Sequence, residues 1–239
     1  MELHGLQKMT LLDYPGHLAC TVFLGGCDFR CPFCHNFGLI DGTEKPVLTD
    51  EELFRFLDRR RGLLDGVAVT GGEPCLHRDL PDLLRRIKDR GFAVKLDTNG
   101  YHPKMLAALL EEGLVDYVAM DVKNSPQKYP QTCGLDSLDL TPIEESVSLL
   151  LNCAEDYEFR TTVVAELHRE EDFEAIGAWI AGAKRYFLQC FTDRDSVPFA
   201  NLHPPGVEDM TRYLACVRRY VPAAAVRGME GDFSAGGQS

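Results

Sequence analysis

The residues best suited to chemistry in this chain of 239 residues are three cysteines, Cys27, Cys31 and Cys34, in the segment GGCDFRCPFCHN. Their spacing, C-x3-C-x2-C, places three thiols on one short loop directly after an apolar, β-rich run at residues 18–24. Three thiolates held close together suit a soft metal or an iron–sulfur cluster. A structural zinc site would normally add a fourth ligand at short spacing. His35 adjoins Cys34 and is too close to converge easily with it on one tetrahedral ion. Three ligands on a four-iron cube leave one iron open to a further ligand. Gly25 and Gly26 permit a sharp exit from the strand. A zinc site and a metal-free loop stay open as competing readings. The other cysteines, Cys20, Cys75, Cys133, Cys153, Cys190 and Cys216, are scattered and form no second cluster motif.

Further polar groups follow successive apolar runs. Thr70-Gly71-Gly72-Glu73-Pro74 combines two glycines, which let a ligand approach the backbone, with a carboxylate that can accept from an ammonium. Taken alone it is also a common turn. Asp97-Thr98-Asn99-Gly100 reads as turn chemistry, and Asp121-Val122-Lys123 as a solvated face, when each is taken by itself. Together they offer two carboxylates and one ammonium. Two carboxylates near each other call for a cation or a proton. Arg160 stands in the apolar run FRTTVV, where a guanidinium is costly unless paired or able to reach solvent.

The elements that must position these groups alternate along the chain. Strands are expected at residues 18–24, 66–70, 92–96, 114–120, 158–164 and 185–190. Helices are expected from a Thr49/Glu52 capping box to about residue 61, and at 80–90, 103–112, 170–181 and 207–219. Another starts at Thr141, with Pro142 at its first position and Glu144 as capping partner. Six strands separated by helices imply a parallel sheet with right-handed crossovers, and functional groups at the C-terminal strand ends. Pattern alone does not separate an open doubly wound sheet from a barrel. One domain is expected over residues 1–228, followed by a small, polar tail at 229–239 that frays.

With Phe33 between the last two cysteines and His35-Asn36 after them, the loop resembles the radical S-adenosylmethionine (SAM) superfamily, in particular its glycyl-radical-enzyme activating enzymes. The resemblance covers nearly the whole chain, because the motifs recur in order at successive strand ends. It implies an α/β fold, an incomplete (β/α)6 barrel, with one [4Fe–4S] cluster on Cys27, Cys31 and Cys34. It implies SAM contacts from Phe33, Gly71, Gly72, Glu73, Asn99, Lys123, Arg160 and Gln189. Asp97, Thr98 and Asp121 become candidate ligands of a monovalent cation beside SAM. Asp13-Tyr14-Pro15-Gly16 resembles the N-terminal segment whose aspartate faces the substrate peptide in these activases. One departure is the run Phe187-Leu188-Gln189-Cys190-Phe191, which lacks the histidine that the pyruvate formate-lyase activases carry there; Gln189 takes its place. His203 reads as a surface loop residue and Cys75 as a packed thiol.

The implied partners are a glycyl-radical enzyme as protein substrate, most like anaerobic ribonucleoside-triphosphate reductase, and a flavodoxin or ferredoxin-like reductant. The alternatives are a radical SAM enzyme acting on a small molecule, such as a 7-carboxy-7-deazaguanine synthase-like enzyme, and an electron-transfer or metal-binding module without SAM chemistry. A formal net charge of −12 argues against an extended nucleic-acid footprint. No run of about 18 apolar residues is present, and the N-terminus lacks a secretory pattern. A cytoplasmic protein with reduced thiols is expected.

Overall fold

The computed structural model describes residues 1–153 and 156–229. The expected tail, apart from residue 229, lies outside the described residues. The contacts group the chain into two compact units: Met1–Arg30, Asn36–Met120 and Thr141–Tyr157 in the first, and Cys31–His35, Asp121–Leu140 and Glu158–Ser239 in the second.

In the first unit, β1 (Glu2–Leu3) pairs antiparallel with β4 (Leu48–Thr49). The main strands are β2 (Gly5–Thr10), β3 (Ala19–Leu24), β5 (Gly66–Gly71), β6 (Ala93–Thr98) and β7 (Tyr117–Asp121), whose last residue belongs to the second unit. Their order is β7-β6-β5-β3-β2. All pairings are parallel except β2 with β3. Val22, Leu24, Val67, Val69, Val94, Leu96 and Val118 are fully buried, as expected where helices cover a parallel sheet. The helices are α1 (Phe37–Asp41), α2 (Asp50–Asp58), α3 (Leu80–Lys88), α4 (Pro103–Glu111) and α6 (Thr141–Leu151). The Thr49/Glu52 capping box forms as expected.

In the second unit, β8 (Asp156–Val163), β9 (Tyr186–Cys190) and β10 (Ala225–Arg227) run parallel in that order. The first two residues of β8 fall in the first unit. α5 (Tyr129–Thr132), α7 (Glu170–Trp179) and α8 (Val207–Arg218) complete the unit. Phe159, Val163, Leu188, Phe173, Ile176, Met210 and Val217 form its core.

The α/β class with mostly parallel strands is the expected one, and each of the six expected strands is present. β7 starts three residues late, because Leu114 N–H still bonds the Leu109 carbonyl at the end of α4 (3.0 Å) and Asp116 turns back to β6. β1, β2, β4 and β10 were not expected: they are two to six residues long, and the longest, β2, is exposed along Gln7, Lys8 and Met9. Among the described residues no helix is long and apolar enough to cross a membrane.

Candidate active site

Register fixes which loops of the first unit share an end. Leu24 pairs with Gly71, and Val69 with Leu96, so the segments after β3, β5 and β6 emerge together at the C-terminal strand ends. The exit of β3 packs backbone to backbone on the exit of β5. Gly72 N–H donates to the Leu24 carbonyl and Glu73 N–H to the Gly26 carbonyl, both at 2.8 Å. A Cβ on Gly71 would lie 2.2 Å from the Leu24 carbonyl oxygen, and one on Gly72 1.8 Å from that of Gly26. Only glycine fits this approach. The Asn36 side chain donates to the Gly71 carbonyl (2.9 Å), and His77 Nε2 to that of Gly25 (2.8 Å).

Glu73 is fully buried. Its Oε1 accepts from Cys75 N–H (2.9 Å) and the Thr98 hydroxyl (2.8 Å), and its Oε2 from Asn99 N–H (2.6 Å). The carboxylate therefore staples the loop after β5 to the loop after β6. Burial raises its pKa; the bonds from Asn99, Cys75 and Thr98 oppose that shift. Cys75 is packed, and burial pushes its thiol well up.

Asn99 also reaches the cysteine loop: its Nδ2 donates to Cys27 Sγ at 3.7 Å. Two residues on, the Tyr101 ring meets Phe29 with centroids 5.5 Å apart, and His102 Nε2 donates to Asp28 Oδ2 at 2.8 Å. Asp97 pairs with the buried Lys95. Asp13 accepts from the Thr21 hydroxyl (2.6 Å). Its turn leads into the N-terminal end of β3, opposite the end that carries the cysteine loop.

In the second unit, Asp121 accepts from Lys123 Nζ (2.8 Å) through Oδ2 and from Arg160 Nε (3.0 Å) through Oδ1. Arg160 is thus a paired cation inside its strand. Burial opposes ionisation of Asp121, but Arg160 and Lys123 outweigh it and hold the carboxyl well below the usual range. Burial likewise opposes the Lys123 charge, and Asp121 more than restores it. A monovalent cation at Asp97 or Asp121 would have to compete with these side-chain cations. The Cys31 thiol is lowered by a hydrogen bond from the buried Cys133, with further support from the Lys123 ammonium, although burial opposes the shift. Phe33 is buried, Cys34 N–H bonds the Cys31 carbonyl (3.1 Å), and Gln189 lies half-buried in β9. His35 Nε2 donates to the Thr192 carbonyl (2.7 Å), and its ring stacks on Phe191 at 5.7 Å. An imidazole drawn from the cysteine loop therefore stands beside Phe191 and Thr192, at the end of a run, residues 187–191, that has no histidine of its own. His203 is exposed and pairs with Glu166.

Sequence reasoning missed the groups that hold the segment after β7. His168 is fully buried; its Nδ1 accepts from Val164 N–H (3.1 Å) and its Nε2–H donates to the Lys123 carbonyl (2.9 Å). Burial lowers its pKa and keeps the ring neutral, as these two bonds require. Asp172, also buried, accepts from Ser125 Oγ (2.8 Å) and Lys128 Nζ (2.7 Å). Their signal is too weak to read without the fold, because both stand in the polar run 166–172 (ELHREED), where each looks like one more solvated side chain.

The Radical SAM superfamily model matches residues 21–152, more than half of the chain. The chain belongs to the radical SAM superfamily. It is 32% identical over 235 residues to a Methanocaldococcus jannaschii protein provisionally named as a glycyl-radical enzyme activating enzyme, covering 96% of this chain and 97% of that one. It is 35% identical over 131 residues to the pyruvate formate-lyase-activating enzyme of Clostridium pasteurianum, about half of each chain (52% and 52%). Among solved structures, a domain of a pyruvate formate-lyase-activating enzyme from Bacteroides vulgatus superposes with TM-score 0.57 at 17% identity, over 68% of this chain and 99% of that one. Streptococcus suis SuiB bound to S-adenosylmethionine superposes with TM-score 0.68 at 12% identity, over 87% and 52%. These likenesses show the fold.

The cysteine side chains fit, in donor chemistry, the iron–sulfur cluster that this family implies. The three thiols share one loop, Cys27 already receives an amide N–H, and the Cys31 thiol is biased toward the thiolate that iron requires. Among the described residues no three His, Cys, Asp or Glu side chains are gathered as around a metal ion, so the cluster assignment rests on spacing, donor chemistry and family.

Proposed function

We propose that the chain activates a glycyl-radical enzyme, and that its site is built from the strand-end loops described above. The observation that carries the reading is the C-x3-C-x2-C loop, with Asn99 already on the first sulfur, in a chain similar over nearly its whole length to a provisionally named activating enzyme.

In this reading Cys27, Cys31 and Cys34 hold three irons of a single [4Fe–4S] cluster. When bound, the cluster supplies the electron that breaks a carbon–sulfur bond of SAM and so produces a hydrogen-abstracting radical. The chain's own residues bind and orient. Gly71 and Gly72 keep side chains away so that the methionyl end of SAM can approach backbone. Lys123 uses one donor on Asp121 and keeps others for the SAM carboxylate. Arg160, Phe33 and Gln189 complete the proposed SAM contacts. Glu73 acts through Thr98 and Asn99 as a positioning residue. Asp97, Thr98 and Asp121 are positioning groups, with Lys95, Lys123 and Arg160 in place of a monovalent cation as charge partners. The substrate is a glycine in a partner enzyme, of which anaerobic ribonucleoside-triphosphate reductase is the class the sequence resemblance names. The electron comes from a flavodoxin or ferredoxin-like donor.

The test is electron paramagnetic resonance on the anaerobically reconstituted protein with SAM, dithionite and the glycyl-radical enzyme of the same organism. A glycyl doublet that disappears when the partner's radical glycine becomes alanine is the expected result. Rapid SAM cleavage on a small molecule, with no radical on any partner, would overturn it.

A further inference from the structure

The turn between β6 and α4 grips the first arm of the cysteine loop residue by residue: Asn99 on Cys27, His102 on Asp28 and Tyr101 on Phe29. Asn99 is itself buried and held at two points. It is 5% exposed, its N–H is on the Glu73 carboxylate, and its Oδ1 accepts from Tyr101 N–H at 2.9 Å. With Oδ1 and the main chain committed, the carboxamide can turn only its Nδ2 toward the sulfur. An Asn at this place need not touch a cysteine to satisfy itself, since water or backbone could take the same donor.

We infer that Asn99 is a positioning residue for the cluster, whose carboxamide N–H seats Cys27 and raises the cluster's reduction potential by withdrawing charge from that thiolate. The inference rests on the cluster assignment proposed above. A donor to a ligating sulfur stabilises the more negative, reduced cluster, and such bonds are among the recognised determinants of iron–sulfur potentials. The bond is long, as bonds to sulfur are, but the carboxamide that makes it is buried and held through the main-chain N–H and Oδ1. In this chemistry the rigidity of Glu73 has a purpose: the staple fixes Asn99, and Asn99 fixes the sulfur.

Asn99→Asp and Asn99→Ala separate the two duties of the side chain. Aspartate keeps an Oδ1 acceptor for Tyr101 N–H but has no donor for sulfur; alanine has neither. The reconstituted proteins are poised at a fixed potential without SAM, and the reduced cluster is counted by electron paramagnetic resonance. Both variants should show at least a tenfold lower ratio of reduced to oxidised cluster than the wild type, about 59 mV for one electron. The wild-type signal should also carry an exchangeable proton coupling from Asn99 Nδ2–H that both variants lack, beside the coupling that Phe29 N–H, which donates to the same sulfur at 3.4 Å, gives in all three proteins. Unchanged ratios and an unchanged coupling would overturn the inference. Iron loss in both variants with unaltered melting of the apoprotein supports it, because the side chain then matters to the ligand and not to the fold. Iron loss accompanied by lower apoprotein melting overturns it in favour of a purely structural turn. A wild-type protein that holds zinc and no iron–sulfur cluster would instead remove the underlying assignment. Absence of a partner radical touches neither measurement.

Discussion

Replacing Glu73 with alanine should destabilise the protein before it touches SAM chemistry. The side chain is fully buried and accepts three hydrogen bonds, two of them from backbone N–H groups at the ends of β5 and β6. Alanine leaves the Cys75 and Asn99 N–H groups without acceptors, at about 1–3 kcal/mol each. Removing a buried carboxylate returns part of that cost, because the pKa of Glu73 is already raised by burial. A net loss of about 2–4 kcal/mol results, which for a chain of this size corresponds to roughly 4–16 °C in Tm. Glu73→Gln should lose less. Its single amide oxygen can serve either Cys75 and Thr98 or Asn99, so one side faces an N–H instead of an acceptor. The assay is thermal unfolding of the reduced apoprotein by circular dichroism, followed by SAM titration of the reconstituted protein. Alanine and glutamine variants that melt with the wild type, while SAM affinity collapses, would refute the staple and make Glu73 a direct SAM ligand.

The same carboxylate sets a pH dependence. Because its folded-state pKa is raised, the unfolded chain releases this proton first, and stability falls as pH rises from the ordinary carboxyl value through the raised one. The difference in Tm between wild type and Glu73→Gln should therefore shift against the wild type across that rise; a constant difference contradicts it. Asp121→Asn leaves Lys123 and Arg160 with no carboxylate in a largely buried setting, and should cost about 2–3 kcal/mol, below the full penalty of breaking a wholly buried pair. Urea unfolding checks it, and a loss under about 0.5 kcal/mol would mean the pair is effectively solvated. Gly72→Ala should abolish iron binding or folding, since its Cβ would meet the Gly26 carbonyl oxygen at 1.8 Å; normal iron content and melting would show that the loop can move aside.

What was legible in the sequence follows from how local each signal is. The cysteine loop is legible because cluster ligation needs three thiols within a short span, and Cys27, Cys31 and Cys34 supply them in one loop. Strand ends were legible because Gly71, Asp97 and Asp121 close or follow apolar runs that can only be buried strands. Partnerships were not legible. Glu73 reads as a ligand in sequence, and only the pairing of β5 with β6 reveals that its oxygens also accept from Thr98 and Asn99. Asp97 and Asp121 read as a cation site; that Lys95 pairs with the first, and Lys123 and Arg160 with the second, shows only in the fold. His168 under Lys123, and Cys133 on Cys31, join residues far apart in the chain and have no local pattern at all. The edge strand β2 escaped because its exposed Gln7, Lys8 and Met9 lack the alternation that marks a half-buried strand.

In the proposed function Cys27, Cys31 and Cys34 carry a cluster that cleaves SAM. The most direct test is the yield of methionine and 5′-deoxyadenosine from SAM with anaerobically reconstituted, dithionite-reduced protein, wild type and each Cys→Ala variant. The wild type should bind about four iron and four sulfide and release the two products in equal amounts. Each of the three variants should release neither, while replacement of the packed Cys75 leaves both intact. Product formation that survives loss of any one of the three cysteines, or a wild type that cleaves no SAM with its iron complete, would contradict the proposed function.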